Sequence, residues 1–85
     1  GPGNPEPTFL SRNVLVADAR PIGDEGKHLR LKLKDGAVTW PAIAFGLGEA
    51  SVEAGQPIDV VYSLGADRAG EGQLELRVKD FAPHA

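Results

Sequence analysis

The chain has 85 residues and no cysteine, so it makes one small domain without disulfides or thiolate metal sites. Twelve acidic residues against nine basic ones give a net charge of −3, whereas a self-sufficient nucleic-acid binder ordinarily carries a basic excess. A hydrophobic fraction of 41 % supports a core. No apolar run approaches the roughly 18 residues needed to span a membrane or suits a secretory leader, so a reducing, cytoplasmic setting is expected.

The opening GPGNPEPT holds three prolines and two glycines and reads as a disordered lead-in over residues 1–8. Its Gly1-Pro2 resembles the remnant of a cleaved purification tag, which would make the chain a piece of something larger. Phe9 to Ile22 is β-prone around Val14 to Val16 but lacks clean alternation, as suits a long strand that bends. GDEG at 23–26 is a turn. KHLRLKLKDG then alternates Leu29, Leu31 and Leu33 with His28, Arg30, Lys32 and Lys34, a strand apolar on one side and positive on the other. Asp35-Gly36 is a tight-turn signal, and residues 37–45 are the hairpin partner. Pro41 there cannot donate to a ladder and marks an edge or a bulge.

Residues 46–57 leave room for at most a short helical turn, around Gly48 to Val52. IDVVYSL (58–64) alternates again, GADRAGEG (65–72) is a flexible loop, and QLELRVKDF (73–81) alternates Leu74, Leu76 and Val78 inward with Glu75, Arg77 and Lys79 outward. Residues 83–85 are a tail, which leaves a folded domain over 9–82. Strands are expected near 9–22, 27–35, 37–45, 57–64 and 73–81. The expected core is Val14, Leu29, Leu31, Leu33, Ile43, Phe45, Val60, Leu74, Leu76 and Val78. With no helix to cover a sheet face, five strands must bury their apolar sides against one another. The fold class is all-β, a small five-stranded OB-fold-like barrel, with an SH3-like barrel as the rival.

Ser11, Ser51 and Ser63 have no base set beside them, since His28 starts a strand and His84 is in the tail. Two isolated histidines and scattered carboxylates give no metal-ligand spacing. The glycine-rich stretches lack the Gly-Lys-Ser/Thr ending of a phosphate loop and read as turns. A free-standing enzyme therefore has almost no support. The basic row of Arg30, Lys32 and Lys34, with Arg77 and Lys79, reads either as a solvated face or as a seat for a polyanion. Asp24 and Glu25 add negative charge beside it.

Four segments, KHLRLKLKDG, AIAFGLGE, IDVVYSL and LELRVKDFAP, resemble in order and spacing the OB-type domain of RecJ, the bacterial single-strand-specific 5′→3′ DNA exonuclease. PTFL and ARPIG also fit, and the resemblance runs from about Pro7 to Pro83. It implies an accessory domain that seats single-stranded DNA, weakly on its own, in DNA repair and recombination. The catalytic core of this DHH phosphoesterase family, with its divalent Mn or Mg, has no counterpart here, so no cofactor is expected in this chain. The expected partners are single-stranded DNA and the parent enzyme's catalytic core, with the domain itself a monomer and no membrane involved.

The resemblance strengthens the polyanion reading of Arg30, Lys32 and Lys34, which lie on a strand that OB folds present to oligonucleotides, with Arg77 and Lys79 as further candidate contacts, and the solvated face stays as the alternative. Trp40, the sole tryptophan, is placed by register on the face opposite Ile43 and Phe45, where a base could stack on it. A bulge at Pro41 would return it to the core. The rival function is a structural or protein-docking module with no intrinsic nucleic-acid binding.

Overall fold

A computed structural model describes residues 6–66 and 74–85. Five strands, β1 (Phe9–Ile22), β2 (His28–Asp35), β3 (Val38–Ala44), β4 (Pro57–Ala66) and β5 (Leu74–Pro83), close into a barrel in the order β1-β2-β3-β5-β4. All neighbouring pairs are antiparallel except β3 and β5. The lead-in expected at residues 1–8 and the loop expected at 65–72 lie largely outside the described residues.

Closure depends on β1. Its first half pairs with β4, from Phe9 opposite Tyr62 to Leu15 opposite Pro57, and its second half pairs with β2, from Leu15 opposite Lys34 to Ile22 opposite His28. Two irregularities, between Ser11 and Val14 and between Val16 and Asp18, bend it around the barrel. At the first, Asn13 takes the left-handed backbone region at φ 57°, which an asparagine tolerates, and its N–H donates to Asp59 Oδ1 at 2.9 Å. The unclean alternation of this segment in the sequence is that bend.

The core lines the barrel interior. Val14 and Val16 of β1, Leu29, Leu31 and Leu33 of β2, Ala42 and Ala44 of β3, Ile58 and Val60 of β4, and Leu76 and Val78 of β5 are all buried. Two expected core residues are not. Leu74 is 48 % exposed because it sits at the first position of β5, opposite Ala66, on the barrel rim. Phe45 is 53 % exposed because it follows the end of β3 with the parity of the outer side.

The connection from 45 to 56 forms turns and no helix. Gly48 explains why. Its N–H donates to the Lys27 carbonyl at 2.9 Å, and a β-carbon there would collide with the Gly26 carbonyl. The connection is thereby pressed onto the β1–β2 link, where a short 3₁₀ turn is found at Asp24–Gly26. Farther on, Val16 and the 55–56 backbone exchange two hydrogen bonds, at 2.7 and 2.9 Å. Leu47, Ala50 and Val52 then pack against this end of the core in place of a capping helix.

The opposite end is more open. A cavity of about 240 Å³ there is lined by Trp40, Tyr62, Leu64, Leu74 and Leu76 among others.

Candidate nucleic-acid interface

The β2–β3 register decides which side chains share a face. The turn at Gly36-Ala37 sets Asp35 opposite Val38, and every later pair follows without a break, including Lys32 opposite Pro41. Pro41 therefore introduces no bulge. Leu33 faces Trp40, Leu31 faces Ala42 and Leu29 faces Ala44, all on the inner side. On the outer side, Lys34 stands beside Thr39, Lys32 beside Pro41 and Arg30 beside Ile43.

Arg30, Lys32 and Lys34 thus form a straight row on β2 with Cα atoms about 7 Å apart. All three are exposed, and none makes an ion pair with any described residue. On the β1 side the row is flanked by Arg20, opposite Arg30, and Asp18, opposite Lys32. Asp18 and Arg20 are themselves paired at 3.0 Å. Together Asp18, Arg20, Arg30 and Lys32 enclose a hollow of about 180 Å³. Three cations around one carboxylate leave that hollow positive, a setting that suits a phosphate.

On the β3 side, Ile43 is fully buried although it points outward. Its register partners are Arg30 on one side and Arg77 on the other, and the aliphatic stems of arginines shield apolar neighbours in such positions.

The remaining expected site residues stand apart from the row. Arg77 and Lys79 belong to β5, beyond β3. The Arg77 guanidinium lies over Gly65 of β4, where a β-carbon would strike it, and so turns away from β2. Lys79 pairs with Glu6 at 3.7 Å. The Glu6 carboxyl is held below its ordinary value, chiefly by the Ser63 hydroxyl, with Lys79 and Arg77 adding attraction. Trp40 is half-buried and packs against the core at the open end, so the face assigned to it by register is corrected.

Two residues on the outer face escaped the sequence reading as site members, Arg20 and Phe45. Arg20 was hidden by the irregularity between Val16 and Asp18, which no composition signal announces. Phe45 was legible in principle. A two-residue turn after Asp35 pairs Leu33 with Trp40, which assigns the even positions of β3 to the interior and Phe45 to the outside.

At the start of β2, His28 meets the Phe45 ring edge-on, with centroids 5.3 Å apart. The Gly46 N–H donates to His28 Nδ1 at 2.9 Å, so the neutral ring carries its proton on Nε2.

The RecJ OB domain family model matches residues 1–80. The chain belongs to the RecJ OB domain family. This RecJ OB domain has no match among curated proteins. Among solved structures it is similar to the single-stranded DNA binding protein SSBb of Mycobacterium smegmatis, with a TM-score of 0.73 and 17 % identity over 92 % of this chain and 86 % of that one. It is similar also to the second OB-fold domain of replication protein A from Methanococcus maripaludis, with a TM-score of 0.66 and 20 % identity over 94 % and 84 %. Aspartyl tRNA synthetase from Entamoeba histolytica gives 0.71 and 20 % over 96 % of this chain, which spans only 19 % of the synthetase. At these identities the likeness is one of fold.

Among the described residues no three or more His, Asp or Glu side chains group as they would to hold a metal ion.

Proposed function

We propose that this RecJ OB domain is a nucleic-acid-binding module that seats single-stranded DNA on the outer face of β2. Arg30, Lys32 and Lys34 contact successive phosphates, and Arg20 contributes at the hollow beside Arg30. The observation that carries this reading is the unbroken row of three cations on one face, unpaired among the described residues, beside the uncharged outer positions Thr39, Pro41 and Ile43 of β3. OB folds present strands two and three to oligonucleotides, and two of the similar structures are of proteins named for binding single-stranded DNA or for replication.

Phosphate contacts of this kind position a strand without reading its sequence. That suits delivery of substrate to a 5′→3′ exonuclease core carried elsewhere in a RecJ-like parent, in DNA repair and recombination. Hydrolysis and its metal belong to that core. Arg77 and Lys79 act as secondary contacts at most, since Glu6 offsets their charge, and Trp40 serves the core.

A second reading, a docking module for protein, is favoured by the net charge of −3 and by the engagement of the β5 cations. Replacing Arg30, Lys32 and Lys34 together by Glu separates the two. The substitutions lie on exposed positions, so folding should persist while binding to oligo-dT is lost. Unchanged affinity in that variant would favour docking.

A further inference from the structure

We propose that Arg77, Lys79 and the Ser63 hydroxyl form a second phosphate seat, and that Glu6 occupies it as a displaceable carboxylate in competition with the strand. The proposal rests on the reading of the β2 row as a phosphate path and adds to it a contact that the chain masks from itself.

The register brings the seat into line with the row. Arg20 lies opposite Arg30, Arg30 opposite Ile43, Ile43 opposite Arg77 and Arg77 opposite Ser63. Residues directly opposed in a sheet share a face, so this line crosses the outer side of the barrel from β1 to β4. Arg30 and Arg77 are two strand spacings apart, about 10 Å between Cα atoms. A single strand that leaves the row at Arg30 can reach Arg77 within a few nucleotides.

The seat itself is built at the β4–β5 pairing. The Arg77 guanidinium lies over Gly65, in room that a β-carbon would take, and so stands on the Ser63 side of its strand. Lys79, at the irregularity of that pairing, points its Nζ to Glu6 Oε2 at 3.7 Å. Ser63 is fully buried, and its hydroxyl completes no hydrogen bond with a described residue, although the Glu6 carboxyl is held in its ionised form chiefly by this hydroxyl. Two cations and a buried hydroxyl around one carboxylate leave the site with a surplus positive charge and a donor still to satisfy.

Glu6 holds this place loosely. Its side chain is 46 % exposed and that of Lys79 48 %, and ion pairs so open to water contribute little. A backbone phosphate presents oxygen acceptors of the same kind and an equal charge. A strand already held on the row brings that phosphate to the seat at high effective concentration.

The test measures oligo-dT affinity of the 85-residue chain against salt, from about 20 mM upward. It compares the wild type, Glu6→Gln, the Arg77→Gln/Lys79→Gln pair and all three changes together. A wild-type slope near −2 reports the row alone, at about −0.7 for each phosphate. Glu6→Gln should bind about two- to fivefold tighter, the worth of one exposed ion pair. It should also steepen the slope by about 0.7, for one further phosphate. In the Arg77→Gln/Lys79→Gln background the same change should alter neither quantity. A Glu6→Gln chain with wild-type affinity and slope would overturn the seat and leave the row standing. A gain without a steeper slope, or one that persists without Arg77 and Lys79, would also overturn it, as the long-range effect of a removed charge. A wild-type slope near zero would overturn the row itself, and the seat with it.

Discussion

Asp59 gathers donors from both ends of the chain. Its Oδ1 accepts from the Asn13 N–H at 2.9 Å and from His84 Nδ1 at 2.7 Å. These hydrogen bonds, the Asn13 one first, favour the ionised form and hold the carboxyl below its usual value, with His84 and Arg12 adding attraction. A carboxyl whose folded pKa is depressed contributes stability that is present above its unfolded value near 4. That contribution is lost as pH falls through the folded value. Asp59→Asn should therefore flatten the acid limb of stability below about pH 4, read as the urea midpoint against pH. An unchanged limb would mean that the bonds do not persist in solution.

Trp40 poses a different question at the same scale, because its face follows from the residue opposite it. Reading Ile43 and Phe45 as core put Trp40 outside, but Leu33, opposite Trp40, is only 1 % exposed and fixes the inner side. Trp40→Ala should cost roughly 3 kcal/mol of folding, the low end for such truncations because the ring borders the open cavity. Wild-type emission should be blue-shifted and indifferent to oligo-dT. Denaturant titration and fluorescence check both.

Among the elements, the strands and the turns at 23–26 and Asp35-Gly36 were legible, and the course of the connection after β3 was not. Alternation of Leu29, Leu31 and Leu33 with charged residues defines β2 because one barrel side is dry and the other wet. The same holds for Ile58 and Val60 in β4 and for Leu76 and Val78 in β5. Ala42 and Ala44 were missed as core because small side chains carry little hydropathy, yet they lie opposite Leu31 and Leu29.

The connection after β3 was the harder segment, since its course depends on a contact with another loop. Gly48 makes that contact, and the penalty of filling it is measurable. Gly48→Ala should destabilise the barrel by about 1–3 kcal/mol, the usual cost of overpacking, and lower the melting temperature. A neutral result would show that the two loops do not touch. As for the candidate site, its β2 half was written in the alternation itself. Its β1 and β3 flanks needed the register, and the isolation of Arg77 and Lys79 needed the strand order, in which β3 intervenes.

For the whole molecule, charge is distributed so that its placement opposes its sum. The chain is acidic by three units, yet one outer face carries three exposed cations with no described acidic partner. Glu6 attends to Lys79, and Asp18 to Arg20, while the β2 row has no ion-pair partner among the described residues. If the row seats single strands as proposed, the net charge should keep affinity weak, on the order of 10⁻⁴ M at physiological salt, at the feeble end of non-specific binding.

The salt dependence of oligo-dT binding tests the central claim most directly, because it counts the phosphates that are neutralised. Three contacts at about −0.7 each predict a slope near −2 for the logarithm of the association constant against that of salt. A slope near zero, with or without measurable binding, would contradict the phosphate row.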